Sequence, residues 1–410
     1  MKLAPVLTLC CGVFSLLSGA RAAYFETSAP PRPADHYLSA KYRLWIPDNV
    51  PTLRGIIIRQ HGCGEGATRF GLTHANDLQW QELARKHKMA LLGPELRSAE
   101  MCAQWNNIAG GSGDALLRAL EQLARESGHP ELLQVPWALF GHSGGAYWST
   151  GMLFRYPERI LAVIARSGGY PFMEWSQAVK HVPVLMAAGI DDRVDNMEYS
   201  TVLTIKSFLA YRRFGSPWVV AIDPKADHGN ANGRRFYIPY MDAMLSLRLP
   251  DEGYRPKPID ATRGWQGDPK TADILPVAGT PKRGWAWFPD ESLARQWQEF
   301  VRTGTVSDST PPPAPTSAQI KPDAAGKMIL TWDARIDLES GIKLFRIYRD
   351  DSPIGSVEGQ HSNHGDAPEP AECPFRYEIK GFSPASRYTL SAINHQNLES
   401  ARSVVARLMD

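Results

Sequence analysis

Between Gly55 and Asp223 short apolar runs alternate with stretches of helical periodicity, and this alternation narrows the fold more than any other feature of the chain. The runs are GIIIRQ (55–60), MALLG (89–93), PWALFG (136–141), ILAVIARS (160–167), VPVLMAAG (182–189) and PWVVAID (217–223). Strands that are apolar on both faces need helices over both faces. The pattern therefore predicts an α/β domain with a mostly parallel central sheet. YRLWIP (42–47) is expected to add an antiparallel edge strand. One helix should start at an Asp114 N-cap, place Leu116, Leu117, Leu120 and Leu123 on one side, and stop before Gly128 and Pro130. Others should follow Ser143 as far as Tyr156 and occupy 197–215 and 233–249.

At 410 residues, 43% of them hydrophobic and 21% charged, the chain can bury a large core and has room for more than one domain. Residues 250–304 are rich in Trp and Pro and end in an amphipathic helix, which reads as an extension packed on the α/β core. A Pro, Ser and Thr run at 305–317 cannot form a packed core and marks a linker. Beyond it, over 318–410, KMILTWDA, IKLFRIYRD, PFRYEIKGF, RYTLSAIN and ARSVVARL alternate like the strands of a small β-sandwich. With Trp332 on an early strand and Tyr388 where a tyrosine corner would fall, this part resembles a fibronectin type III domain.

The first residues, MKLAPVLTLCCGVFSLLSGARAA, combine an early lysine, a short apolar core and a small-residue end. They read as a secretory signal over 1–22, which leaves the α/β domain with its extension at 23–304, and the mature chain is expected to be secreted or periplasmic. Bulky Leu9 before Cys10 and Cys11 argues against a lipid anchor at either. Three cysteines then remain, Cys63, Cys102 and Cys373, which in an oxidising compartment implies one pair and one leftover thiol. A net charge of +2 without a basic stripe argues against a nucleic-acid partner, and no later run is apolar enough for a membrane span.

GHSGG (141–145) is a G-x-S-x-G placed directly after an apolar strand and before a helix, the context in which this motif makes a nucleophile elbow. Ser143 is the candidate nucleophile. It needs a base and an acid to orient that base, in the chain order Ser, Asp, His. The loop after VPVLMAAG offers Asp191, Asp192 and Asp195. His228, in PKADHGN after the last strand, is the only histidine between that loop and the linker. His36, His74, His87, His129 and His181 read as lying in surface-like segments. Charge developing on a carbonyl oxygen also needs backbone N–H donors. Gly144 supplies one, and Cys63, through its backbone in HGCGEG (61–66), is the candidate for the second. No HExxH, Cys-x-x-Cys or phosphate-cradling glycine loop is present, and neither a metal nor an organic cofactor is expected.

Residues 40–250 resemble an α/β-hydrolase, and more narrowly the polyhydroxybutyrate depolymerase and feruloyl or acetylxylan esterase group. The narrower likeness rests on HGCG (61–64), CAQWNN (102–107) and YPERILAVIARSGG (156–169). It implies a serine carboxylesterase that acts through an acyl-enzyme on an ester linked to carbohydrate or polyester. The G-x-x-D-x-V spacing of Gly189, Asp192 and Val194, frequent in similar hydrolases, favours Asp192 as the acid. The resemblance also implies a Cys63–Cys102 bridge that pins the oxyanion loop. It makes Trp105, Asn106 and His142 candidates for substrate contact, with core filling the alternative for Trp105. A peptidase of the same fold, and a binding protein that keeps the fold as a scaffold, are the rival readings.

Overall fold

The computed structural model describes residues 22–169, 176–193, 200–229, 232–360 and 374–407. The expected signal segment up to residue 21, with Cys10 and Cys11, lies outside them, as do Asp195, Cys373, His361 and His364. Among the described residues no helix is long and apolar enough to cross a membrane.

Eight strands form the main sheet: β1 (Ala23–Ser28), β2 (Ser39–Ile46), β3 (Ile56–Gln60), β4 (Ala90–Arg97), β5 (Trp137–His142), β6 (Ile160–Arg166), β7 (Val184–Gly189) and β8 (Trp218–Asp223). Their spatial order is β1-β2-β4-β3-β5-β6-β7-β8. β2 runs antiparallel to both β1 and β4, while the strands from β4 to β8 are parallel to their neighbours. This is an α/β-hydrolase-like fold, and each strand from β3 to β7 is wholly buried except for the last residue of β4. The chain leaves β3 toward β4 and then crosses back to β5 on the other side of β3. The carboxyl ends of β3 and β5 therefore flank a topological switch point, where open α/β sheets present their ligand crevice.

Two expectations for this sheet are corrected. The β2 segment is antiparallel but is not the edge, because β1 pairs with it from Ala23↔Ile46 to Ser28↔Lys41. β4 continues through Pro94 to Arg97. Proline fits there because β4 has already parted from β3, whose pairing covers only residues 90–92 of β4.

Helices α1 (Glu65–Thr68), α2 (Leu78–Lys86), α3 (Ser112–Ser127), α4 (Gly144–Arg155), α5 (Ser200–Arg212) and α6 (Arg234–Arg248) complete the body. α3 starts two residues before Asp114, with Gly111 as its cap. Asp114 therefore sits in the first turn, where its charge still complements the helix dipole. Residues 250–304 fold onto the body. They contribute a small sheet of β9 (Trp265–Gly267), β10 (Ile274–Pro276) and β11 (Ala286–Phe288), then α7 (Glu291–Thr303) capped by Asp290. Trp297 on α7 is fully buried, donates from Nε1 to the Val220 carbonyl of β8 at 2.7 Å, and so ties the extension to the sheet.

The C-terminal part holds two four-stranded sheets. One contains β12 (Thr316–Pro322), β13 (Met328–Asp333), β16 (Phe375–Glu378) and β19 (Ala406–Arg407); the other contains β14 (Ile342–Arg349), β15 (Ser352–Glu358), β17 (Tyr388–Asn394) and β18 (Ser403–Val404). Leu330, Trp332, Phe345, Ile347, Phe375 and Leu390 form the core between them. This unit docks on α2. Leu78 enters its core, Gln79 Nε2 donates to the Asp337 and Leu338 carbonyls, and Arg335 grips the Glu82 carboxylate. A cavity of about 230 Å³ lies along this seam, with Arg234, Arg235 and Glu339 in its wall.

Candidate active site

Ser143 is the single residue between the end of β5 and the start of α4, and its backbone takes φ 54° and ψ −119°. A non-glycine residue rarely adopts such a conformation, and a sharp strand-to-helix turn is one of the places that enforce it. The turn is braced on both sides: the Ser143 N–H donates to the Arg166 carbonyl at 2.8 Å, and its own carbonyl accepts from Ala146 N at 2.9 Å. It is also crowded. A Cβ on Gly141 would lie 2.0 Å from the Gly145 carbonyl oxygen, so β5 can end beside α4 only through glycine.

The HGCG loop leaves β3 next to this turn. A Cβ on Gly62 would stand 3.5 Å from Ser143 Cβ and 3.4 Å from the His142 carbonyl oxygen. Cys63 and Cys102 are joined as a disulfide. That bridge lies directly on Gly144, where an added Cβ would meet Cys63 Sγ at 2.2 Å and Cys102 Sγ at 3.0 Å. The disulfide therefore ties together the loop after β3, the loop after β4 and the first residue of α4. The Cys63 and Gly144 backbones, both candidates for holding an oxyanion, are thus neighbours.

On the far side of Ser143, Gly189 ends β7 and the loop beyond it turns back against Ala226 and Asp227. Asp192 is fully buried there, and its Oδ1 bonds Nδ1 of His228 at 2.7 Å. Asp191 is exposed and Asp195 lies outside the described residues, so of the three acids Asp192 is the one placed on His228. Gly229 N donates to Asp227 Oδ1 at 2.7 Å, which closes a tight turn around His228. Because Asp192 takes Nδ1, it fixes the imidazole with Nε2 as the edge free to accept a proton. Among the described residues no hydrogen bond joins the Ser143 hydroxyl to His228.

The other candidates fall in different places. His142 is buried; its ring lies 5.0 Å from the His228 ring, and its Nε2 donates to the His228 carbonyl at 2.8 Å, so it supports that loop. Trp105 has no exposed surface: it packs 4.8 Å from His61 with its ring edge against Gly144, under the disulfide, and presents no face to a ligand. The core-filling reading therefore fits it. Asn106 is half-buried and touches Cys102 Sγ from its Nδ2. His74 and His87, read as surface residues, are buried: His74 Nδ1 bonds the Arg59 carbonyl of β3, and His87 Nε2 bonds Asp242 of α6.

Two buried groups escaped the sequence reading. His61 donates from Nδ1 to the Gly62 carbonyl and accepts the Leu96 N–H at Nε2, which shapes the HGCG loop. Burial pushes its imidazole down to about 4, so it stays neutral and keeps both roles at pH 7. Arg166, the last residue of β6, is 1% exposed and reaches into the His228 loop. In sequence the first is one letter of a motif and the second one residue of a strand, with no local pattern to mark either.

Among the described residues one group of three carboxylates, Asp308, Asp337 and Glu339, could gather a metal ion. It lies in the C-terminal part. Asn394 Nδ2 and the Ser340 hydroxyl already donate into it.

No protein-family model matches this chain, and no curated protein matches it. Solved structures do. S-formylglutathione hydrolase FrmB from Staphylococcus aureus is 15% identical, with 56% of this chain and 95% of that chain covered and a TM-score of 0.36. A ferulic acid esterase is 13% identical over 51% of this chain and 92% of its own, with a TM-score of 0.37. A Pyrobaculum calidifontis esterase is 10% identical over 57% and 88%, with a TM-score of 0.39. At these identities and scores the site is read from its own geometry.

Proposed function

We propose that this chain is a serine carboxylesterase. In this reading the Ser143 hydroxyl attacks an ester carbonyl, and His228 Nε2 takes the hydroxyl proton and delivers it to the leaving alcohol. Asp192 holds the imidazole and supports its charge, and the backbone N–H groups of Cys63 and Gly144 take the oxyanion. Water, activated by the same imidazole, then releases the acid and restores the serine. The observation that carries the proposal is the strained Ser143 turn beside a loop in which a buried carboxylate already orients a histidine. The same geometry favours the catalytic reading over the scaffold one, since backbone strain of this kind clusters at active sites.

The substrate we propose is an acylated polysaccharide or a polyester, and the chain is proposed to act after export. The signal-like first residues and the Cys63–Cys102 bridge support export. The C-terminal sheets are proposed to be a fibronectin type III-like module. Tyr388 OH accepts the Ser383 N–H at 3.0 Å, a bond of the tyrosine-corner kind. A panel of p-nitrophenyl acetate, feruloylated and acetylated xylan, a hydroxyalkanoate polyester and an aminoacyl anilide tests the reading on the purified mature chain. Hydrolysis of esters but not anilide is expected; anilide cleavage above ester cleavage would transfer the chain to the peptidases.

A further inference from the structure

We infer that Arg166 is a positioning residue that holds the His228 loop against the serine turn, with His142 as its second support; this rests on the reading of Ser143 and His228 given above. A guanidinium sealed from water is costly unless its donors are used, and a carboxylate partner is the usual compensation. Here all of its hydrogen bonds among the described residues go to uncharged oxygens. One is its neighbour, Ser167 Oγ, at 2.9 Å; the others are three consecutive carbonyls, those of Asp227, His228 and Gly229.

The carbonyl of His228 is thereby held twice, by Arg166 Nη1 and by His142 Nε2. The backbone of Arg166 faces the other way and accepts the Ser143 N–H. One residue thus fixes the backbone of the nucleophile and, through its side chain, the backbone of the base. Asp192 sets the rotation of the imidazole, but nothing in that contact sets how far His228 stands from Ser143. The Arg166 clamp does, because it ties both residues to the end of β6. A displacement of the base by about 1 Å is enough to cost roughly 100-fold in rate.

The test compares wild type, Arg166→Met and Arg166→Lys as full mature chains. It uses steady-state hydrolysis of p-nitrophenyl acetate together with backbone hydrogen exchange over residues 224–229. Arg166→Met should lower kcat about 100-fold while KM stays within about twofold, since it disturbs the base and not ground-state binding. Exchange at 224–229 should rise while β6 and β8 keep their protection. Arg166→Lys, which retains a donor, should recover about 10-fold of the loss. An unchanged kcat, or a loss without faster exchange in that loop, would overturn the clamp. If Arg166→Met does not fold, His142→Phe keeps a ring on His228 but removes one donor to the same carbonyl. It should lower kcat about fivefold with the same exchange signature, and unchanged kcat and exchange there would equally overturn the inference. A wild-type chain inert toward both p-nitrophenyl acetate and a fluorophosphonate would instead sink the esterase reading, and the positioning role with it.

Discussion

In the hydrolase-like body, His61 and Arg166 are sealed from water and each directs its hydrogen bonds at a backbone segment beside Ser143. Beside the C-terminal sheet pair, Asp308 of the preceding segment crowds together with Asp337 and Glu339 of the loop between β13 and β14, near the surface that meets α2. Burial acts on His61 and Glu339 with opposite sign. It pushes His61 down to about 4, and it pushes Glu339, which also shares a hydrogen bond with Asp308, up to about 7. Both groups are favoured uncharged, the first as a base without its proton and the second as an acid with it. Polar side chains in the first region hold the backbone around Ser143, and in the second they gather beside the seam between the two units.

The sharpest way to break this contrast is Asp192→Asn, which leaves the packing intact but offers His228 an amide that can favour the wrong tautomer. Turnover of p-nitrophenyl acetate should fall about 10⁴-fold with little change in thermal midpoint. The disulfide comes next. The bridge spans a sequence separation of 39, and the paired Cys63→Ser, Cys102→Ser variant should lose about 4 kcal/mol in urea denaturation. Turnover should also fall, because the loop facing Ser143 is no longer pinned.

Acid separates the two regions. His61 is neutral when folded, whereas its unfolded form takes a proton below 6.5. Its contribution, about 3 kcal/mol, is therefore present at pH 7 and lost progressively as pH falls from 6.5 toward 4. Buried His74, lowered for the same reason, adds a loss of the same sign. Glu339 works the other way: its folded form holds a proton that the unfolded form releases above 4.5, so its contribution is present at low pH and lost as pH rises through 7. Glu339→Gln should accordingly raise the urea midpoint more at pH 8 than at pH 5. The smallest effect belongs to the seam: Arg335→Ala, which frees one end of a half-exposed ion pair with Glu82, should cost about 1 kcal/mol and leave ester turnover unchanged. A fall in turnover there would show that the C-terminal pair shapes the site.

Much of the body was legible because fully apolar strands and glycine punctuation are local signals. β3, β5, β6, β7 and β8 lie within a residue or two of the expected runs. β1 was not, because only one of the six residues of AYFETS is buried and the segment becomes a strand by pairing with β2. β15 was hidden for a similar reason: SPIGSVE lies largely exposed at the edge of its sheet and contains both Pro and Gly. At the site, the motif and chain order nominated Ser143, His228 and an acid in the loop after β7, and the spacing shared with similar hydrolases singled out Asp192. Their supports were not nominated. Arg166 and His61 matter through carbonyls and amides remote in sequence, and no periodicity records which backbone atoms a buried side chain will meet.

The most direct measurement is intact-mass and peptide mass spectrometry of the mature chain after exposure to diisopropyl fluorophosphate. A single adduct on Ser143, absent from Ser143→Ala and strongly slowed in His228→Ala, is the predicted result. A folded wild-type chain that takes up no adduct, or carries it on a residue other than Ser143, would contradict the account.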